Sequence, residues 1–349
     1  MSHFYSLEVS DVTPLTPNSV AISFTVPQDL KEEFKFKAGQ YLTIKHPSAE
    51  GEIRRSYSLC SIPADTNITV GIKKVPRGAF SVYANEKIKP GDVLQVMPPQ
   101  GRFVLDTAER NIKIMAFAAG SGITPIVSIV QTALEGNPES QVVLVYGNQS
   151  REEAMFFKEL EDLKNTYPNR FFIEYLFSRN KEDEGMFGRI DKSIVNYITK
   201  NKHKDFVPDS YYLCGPESMI ETVTGTLKEN GVAKDKIHHE LFTASETDRD
   251  TSGIPEGMTH LEITLDDAVH SLEMDRKTLV LDAVLKAKID APYSCQGGVC
   301  STCIARIKEG TAKMERNQIL TDSELKEGFI LTCQAHPTSE VLKIDYDDV

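Results

Sequence analysis

Three cysteines crowd into nine residues, Cys295, Cys300 and Cys303 of the segment YSCQGGVCSTC, and Cys333 follows after a gap, giving C-x4-C-x2-C-x29-C. The chain of 349 residues has six cysteines, and the other two, Cys60 and Cys214, stand alone. This spacing demands a fold that returns a distant thiol to a tight loop. A zinc site usually pairs two short knuckles around a tetrahedral ion. One close trio with a remote fourth thiol suits iron and sulfide better, and it is the spacing of a four-thiolate [2Fe–2S] cage. Gly297 and Gly298 let the loop turn tightly and aim N–H groups at sulfur. Zinc, or a set of free thiols, is the alternative reading.

The compartment bears on that choice. The opening MSHFYSLEVSDVTPL has neither a basic nor an apolar leader region, and no apolar run approaches the roughly 20 residues needed to span a bilayer. The expectation is a cytoplasmic protein without membrane insertion, where thiols serve as ligands rather than disulfides. The net charge of −12, from 39 Lys and Arg against 51 Asp and Glu, argues against nucleic acid as a partner.

Such a length exceeds one ordinary core, and the hydrophobic pattern divides it. Residues 1–107 alternate short β-rich runs (SVAISFTV, QYLTIKH, RSYSLCSI, ITVGIKKV, DVLQVMPP) with Pro and Gly turns, which predicts an antiparallel β-barrel. Across residues 108–243 strands alternate with helices. KIMAFAAG, VVLVYGN, RFFIEYLF, SYYLCG and KIHHELF read as strands. PIVSIVQTALEG, EEAMFFKELEDLKNTY, DKSIVNYITKN and ESMIETVTGTLKENG read as helices. That order predicts an α/β doubly wound parallel sheet. Residues 244–258, rich in Thr, Ser, Asp, Glu and Gly, read as a flexible linker. Residues 259–349 form a third, acidic segment, with 16 Asp and Glu against 10 Lys and Arg. There HLEITL and AVHSLEM suit a hairpin and TLVLDAVLKAKI a helix.

Chemistry-bearing motifs punctuate the first two segments. RSYS offers Arg55 for a phosphate, Tyr57 for stacking and Ser58 for a ring nitrogen, although a surface strand would also explain it. RGAFS places Gly78 and Ser81 where a second phosphate cradle could form. AAGSGITP puts Gly120, Gly122 and Thr124 at a strand-to-helix turn, a site for a pyrophosphate at a helix N-terminus. Pro125 sets it apart from the G-x-G-x-x-G of dehydrogenases. YLCGPESM ends a strand at Cys214, at the edge of the sheet where open α/β sheets bind ligands, although an unpaired core cysteine would also explain it. FSRN sets Ser178 and Arg179 at another strand end, a hydroxyl and a cation suited to a 2′-phosphate, with Ser150 and Arg151 as a second basic candidate. His238 and His239 read as solvated strand residues rather than metal ligands.

In this order RSYS, GAFS, GSGITP and CGP resemble the ferredoxin–NADP reductase family over residues 1–243, and residues 259–349 resemble a plant-type ferredoxin of α+β, β-grasp fold. The resemblance implies FAD held by Arg55, Tyr57, Ser58, Gly78 and Ser81. It implies NADPH along Gly120, Gly122 and Thr124, with its 2′-phosphate at Ser178 and Arg179, NADH being the alternative. Cys214, Ser58 and Glu240 would flank hydride transfer, and Glu240 with Phe242 matches the acid-then-aromatic ending of related reductases. Cys295, Cys300, Cys303 and Cys333 would ligate a [2Fe–2S] cluster. The layout is similar to oxygenase reductase components, and APYSCQGGVCSTC, LTDSELKEGFILTCQAHP and FSRN most resemble reductase subunits of phenylacetyl-CoA epoxidases. Such a protein passes electrons from NADPH through FAD and the cluster to a separate oxygenase. Reductases of ring-hydroxylating oxygenases and desaturases share the layout, and a flavin/iron–sulfur redox sensor is the reading from another class.

Overall fold

The computed structural model describes residues 3–48, 51–105, 111–181, 185–242 and 253–349. The chain separates into two compact units, Phe4–Leu241 and Phe242–Val349.

The first unit opens with six strands: β1 (Tyr5–Thr16), β2 (Ser19–Thr25), β3 (Tyr41–Ser48), β4 (Gly51–Ser58), β5 (Asn67–Lys73) and, after helix α1 (Ala79–Glu86), β6 (Val93–Val96). They pair antiparallel in the order β4-β3-β6-β1-β2-β5, and a bridge from Leu59 to Val70 closes the two edges into a barrel. Inward positions carry Leu7, Val9, Ile22, Phe24, Leu42, Ile44, Val70, Ile72 and Val96, all buried. The period-2 alternation of these apolar residues is what makes the segment a sheet with one dry face. The sequence reading passed over β1. Its strand is bent by register shifts at Val9/Asp11 and Pro14/Thr16, and such bulges interrupt the alternation that marks a strand.

The same unit continues with β7 (Lys113–Ala119), α2 (Ile123–Gly136), β8 (Gln141–Asn148), α3 (Phe157–Thr166), β9 (Phe171–Phe177), β10 (Met186–Phe187), α4 (Lys192–Tyr197), β11 (Ser210–Cys214), α5 (Glu217–Glu229) and β12 (Ile237–Glu240). All these strands run parallel, in the order β10-β9-β8-β7-β11-β12. The chain winds outward from β7 to β10 and returns to β11 on the other side, so the switch point falls beside the ends of β7 and β11. Helix α3 starts at Phe157, several residues later than EEAMFFKELEDLKNTY suggests. Phe156 takes a left-handed φ of 58°, and it and Met155 turn into the core. Burial of two large side chains outweighs the helical propensity of the preceding residues.

Barrel and parallel sheet share one core, in which Ala38, Cys60, Phe103 and Leu105 join α2 and the strands of the sheet. Ser128 on α2 donates to the Ser61 carbonyl at 2.6 Å, and Tyr212 on β11 donates to the Val104 carbonyl at 3.2 Å. Gly71 on β5 lies so close to α2 that a methyl there would sit 2.6 Å from Thr124 Cγ2.

The second unit contains β13 (Met258–Leu265), β14 (Ala268–Asp275), α6 (Val280–Lys286), β15 (Ile304–Glu309), β16 (Ala312–Met314), α7 (Asp322–Lys326), β17 (Phe329–Leu331), β18 (Ala335–Pro337) and β19 (Val341–Asp345). Five strands form a mixed sheet, β14-β13-β19-β15-β17, in which β13 and β19 run parallel, and β16 pairs with β18. Val280, Leu281 and Val284 of α6 pack with Leu261, Ile263, Leu342 and Ile344 of the sheet, which is the β-grasp arrangement. The hairpin predicted from HLEITL and AVHSLEM is present as β13 and β14, in unbroken register. The linker expected over 244–258 lies outside the described residues except for its last few positions.

Gly71→Ala is expected to lower stability by about 1–3 kcal/mol through overpacking. Because the clash is with a methyl of Thr124, Thr124→Ser in the same chain should recover most of the loss, as read by thermal unfolding of the two variants.

Candidate redox site

The cysteine loop lies between α6 and β15, and Cys333 follows β17. Their meeting is built into the backbone: Thr332 donates its N–H at 3.1 Å and its hydroxyl at 2.9 Å to the Cys303 carbonyl. Tyr346, buried beyond the last strand, donates to Thr332 Oγ1 at 2.9 Å. None of the four cysteines is in a disulfide, and Cys300, Cys303 and Cys333 are buried while Cys295 is partly exposed. Four free thiols in the C-x4-C-x2-C-x29-C spacing supply the sulfur donors that a [2Fe–2S] cluster needs.

Donors around the cage fit the same group. Gly297 N–H points at Cys295 Sγ, 3.4 Å away. Gly298 has a φ of +72°, and Gln296 before it takes a left-handed φ of 53°. The Cys300 thiol is held well above its ordinary pKa, first by its hydrogen bond to Cys295 and then by burial. Loading with thiolate ligands must therefore displace protons.

On the barrel, β4 presents the RSYS residues. Arg55 is exposed, with one guanidinium N–H on the Arg54 carbonyl at 2.7 Å. Tyr57 is half-buried against Phe80, ring centroids 5.6 Å apart, and His46 extends this aromatic wall to Phe80 and Tyr83 at 5.4 and 4.2 Å. Gly78 opens α1, whose N-terminus has no side-chain cap. A methyl at Gly78 would collide with Ser81 Oγ, which accepts the Val75 N–H at 3.1 Å. Ser81 thus shapes the loop, and the uncapped first turn of α1 has the donors an anionic diphosphate needs. Sequence reasoning missed Phe80, Tyr83 and His46. The i, i+3 aromatic pair in AFSVYANE was the available signal, but His46 on a distant strand gave none.

Ser58, Cys214 and Glu240 come together. Ser58 ends β4 and donates to Glu240 Oε2 at 3.3 Å, both residues being buried. Glu240 ends β12 directly opposite Cys214, the last residue of β11. Cys214 is fully buried, and burial followed by the Glu240 charge holds its thiol well above the ordinary value. A thiol so placed is protonated and a poor nucleophile.

The glycine turn after β7 reaches the same edge. Gly120 has a φ of +55°, and Tyr146 on β8 donates to its carbonyl at 3.2 Å. Gly122 lies against the Cys214 carbonyl so closely that a side chain there would overlap it. Thr124 is buried, its hydroxyl on the Ser121 carbonyl at 3.0 Å. Ser178 and Arg179 follow β9 and are tied to the end of β8 through Asn148 and Gln149 carbonyls, at 3.0 and 2.9 Å. Arg179 is exposed, whereas Arg151 lies 4.5 Å over the Phe157 ring. His238 stacks on Tyr212 at 4.9 Å. Phe242 opens the second unit and is 37% exposed.

Comparison with known proteins agrees with each part. Residues 6–105 match the oxidoreductase FAD-binding domain, 117–225 the oxidoreductase NAD-binding domain and 263–338 the 2Fe-2S iron-sulfur cluster binding domain. The chain is 37% identical over 352 residues to a subunit of 1,2-phenylacetyl-CoA epoxidase from Escherichia coli (strain K12), covering 99% of both. It is 32% identical to the ferredoxin reductase component of 3-ketosteroid-9-alpha-monooxygenase from Rhodococcus rhodochrous, covering 97% of this chain and 96% of that one. Among solved structures, phthalate dioxygenase reductase shares the fold, with a TM-score of 0.61 at 23% identity and 98% coverage of both chains. With FAD-binding, nicotinamide-binding and [2Fe–2S] domains in one chain, and full-length relatives that are components of oxygenase systems, this protein belongs to the flavin- and iron–sulfur-dependent branch of the ferredoxin–NADP reductase family and is an NAD(P)H-dependent electron-transfer oxidoreductase.

Proposed function

We propose that the chain draws electrons from NADPH and delivers them to the oxygenase component of a phenylacetyl-CoA epoxidase. The observation that carries the acceptor is the 37% identity to the Escherichia coli epoxidase subunit along 99% of both chains. We further propose a division into a FAD barrel (1–107), a nucleotide domain (108–243), a linker (244–258) and a ferredoxin domain (259–349).

When bound, FAD and a [2Fe–2S] cluster would supply the hydride acceptance and one-electron transfer that the reaction needs. The chain's part is positioning. The Arg55 guanidinium and the uncapped start of α1 hold the diphosphate, and Tyr57 stacks on the ring system. Ser58, its proton directed to Glu240, keeps lone pairs for a ring N–H. Gly120 and Gly122 keep the turn free of side chains, so the dinucleotide can approach the backbone. Cys214 packs beside the nicotinamide as a neutral, polarisable wall, and water is excluded by the burial of Ser58, Cys214 and Glu240. Cys295, Cys300, Cys303 and Cys333 ligate the cluster. Ser178 and Arg179 bind the 2′-phosphate, for which a hydroxyl and a cation on adjacent residues are suited.

Anaerobic stopped-flow reduction of the flavin tests the nucleotide site. Wild type should be reduced at lower NADPH than NADH, and Ser178→Ala/Arg179→Ala should weaken NADPH at least about tenfold, as expected for lost charged hydrogen bonds, while NADH changes little. A preference for NADH in wild type would refute the choice of NADPH. In the same assay Glu240→Gln should slow flavin reduction at saturating NADPH without loss of FAD, because the Ser58 hydroxyl loses its charged acceptor. For the acceptor, purified oxygenase components of phenylacetyl-CoA epoxidase and of 3-ketosteroid-9-alpha-monooxygenase would be compared for NADPH-driven turnover. Turnover with the second alone would move the assignment to that system.

A further inference from the structure

Gln334 follows the ligand Cys333 and is 5% exposed. Its backbone is fixed on both sides: its N–H donates to the Leu331 carbonyl at 2.9 Å, and its carbonyl accepts from Glu315 N–H at 2.9 Å. The side-chain amide turns inward. Nε2 lies 2.8 Å from the Cys333 carbonyl, 3.1 Å from the Gln296 carbonyl and 3.7 Å from Cys333 Sγ. One NH2 group, with two hydrogens, thus serves three acceptors, and one of them is a cluster-binding sulfur.

The acceptor on the loop is no ordinary carbonyl. Gln296 holds a left-handed φ of 53° on the part of the loop where Cys295 and Gln296 themselves meet solvent. A non-glycine residue keeps that conformation only when its surroundings impose it. Gly298 curls around the same side chain: a methyl there would lie 2.9 Å from Gln334 Cγ. The loop is therefore wrapped on the Gln334 stem and pinned through its amide. The N–H that Gly297 directs at Cys295 Sγ, 3.4 Å away, belongs to the backbone of the loop itself, whereas the Gln334 amide reaches sulfur from a side chain outside it.

We infer that Gln334 is a positioning residue for the [2Fe–2S] cluster: its amide locks the exposed half of the ligand loop and, by donating to Cys333 Sγ, sets how readily the cluster takes its electron. A donor beside a ligand sulfur favours the state that carries one more negative charge, so its loss makes reduction harder. Gln334→Leu removes the donor, and Gln334→Glu keeps the shape while turning carboxylate oxygens toward the same acceptors.

The test uses the full-length protein with FAD and cluster assembled, in an anaerobic potentiometric titration followed by EPR, and in a parallel measurement of cluster loss to an iron chelator. At the wild-type midpoint the reduced-to-oxidised ratio should fall about three- to tenfold in Gln334→Leu, the size of one neutral hydrogen bond, and further in Gln334→Glu. Chelator loss should be faster in both. Flavin reduction by NADPH, which draws on the other unit, reports that the first unit is folded and loaded, and the far-UV circular dichroism of the assembled protein reports the second. Unchanged midpoints with unchanged chelator rates would overturn the inference, and so would a shift toward easier reduction. Failure of both variants to assemble any cluster while flavin reduction survives would also overturn it, by making Gln334 a folding residue.

Discussion

The hydrogen bond from Ser58 to Glu240 joins residues 182 positions apart and organises the first unit. It needs the barrel to end β4 at the place where the parallel sheet ends β12. Each carries a buried polar group, and a buried carboxylate without a partner would cost several kcal/mol. The shared core formed by Ala38, Cys60, Phe103 and Leu105 with α2 holds the two halves in that relation. Gly71 and Gly122 remove the side chains that would otherwise push α2 and the glycine turn away. The result is a dry, shaped edge at the switch point of the sheet, where Cys214, Glu240 and the turn after β7 converge.

The second unit solves a different problem with similar means. A cluster needs four thiols at fixed spacing, yet three sit on a loop with little regular structure. The loop is held by what it touches: Thr332 on the Cys303 carbonyl, Tyr346 on Thr332, Gln334 on the Gln296 carbonyl. These partners come from the turn after β17 and the segment following β19, so the sheet supplies the rigidity that the loop lacks. Asp347 adds to this by accepting the Asp266 and Asp267 N–H groups at 2.9 Å each, fixing the β13–β14 turn from the C-terminal end.

Much of this was legible from local pattern. Alternating apolar residues marked most barrel strands, and β-then-α periodicity marked the parallel sheet. Where local pattern was broken, reading failed: β1 carries bulges, and the helix at Phe157 starts late because Met155 and Phe156 turn into the core. At the site, the family resemblance grouped Ser58, Cys214 and Glu240, while nothing in their motifs said that Ser58 would donate to the Glu240 carboxylate. Of the aromatic wall, RSYS named only Tyr57, and Phe80, Tyr83 and His46 join it from a helix and another strand.

The sequence by itself determined the class of chemistry and the candidate residues for it. Thiol spacing, glycine turns and strand-to-helix junctions are short-range features, and their physical consequences follow from a few neighbouring residues. Only the tertiary structure decided which groups meet: Ser58 with Glu240, Gly122 with the Cys214 carbonyl, Gln334 with the far side of the cysteine loop. Those contacts depend on how strands are ordered and how closely layers pack. That is a property of the whole core, because moving a barrel strand by a single register step would turn its core-facing side chains outward.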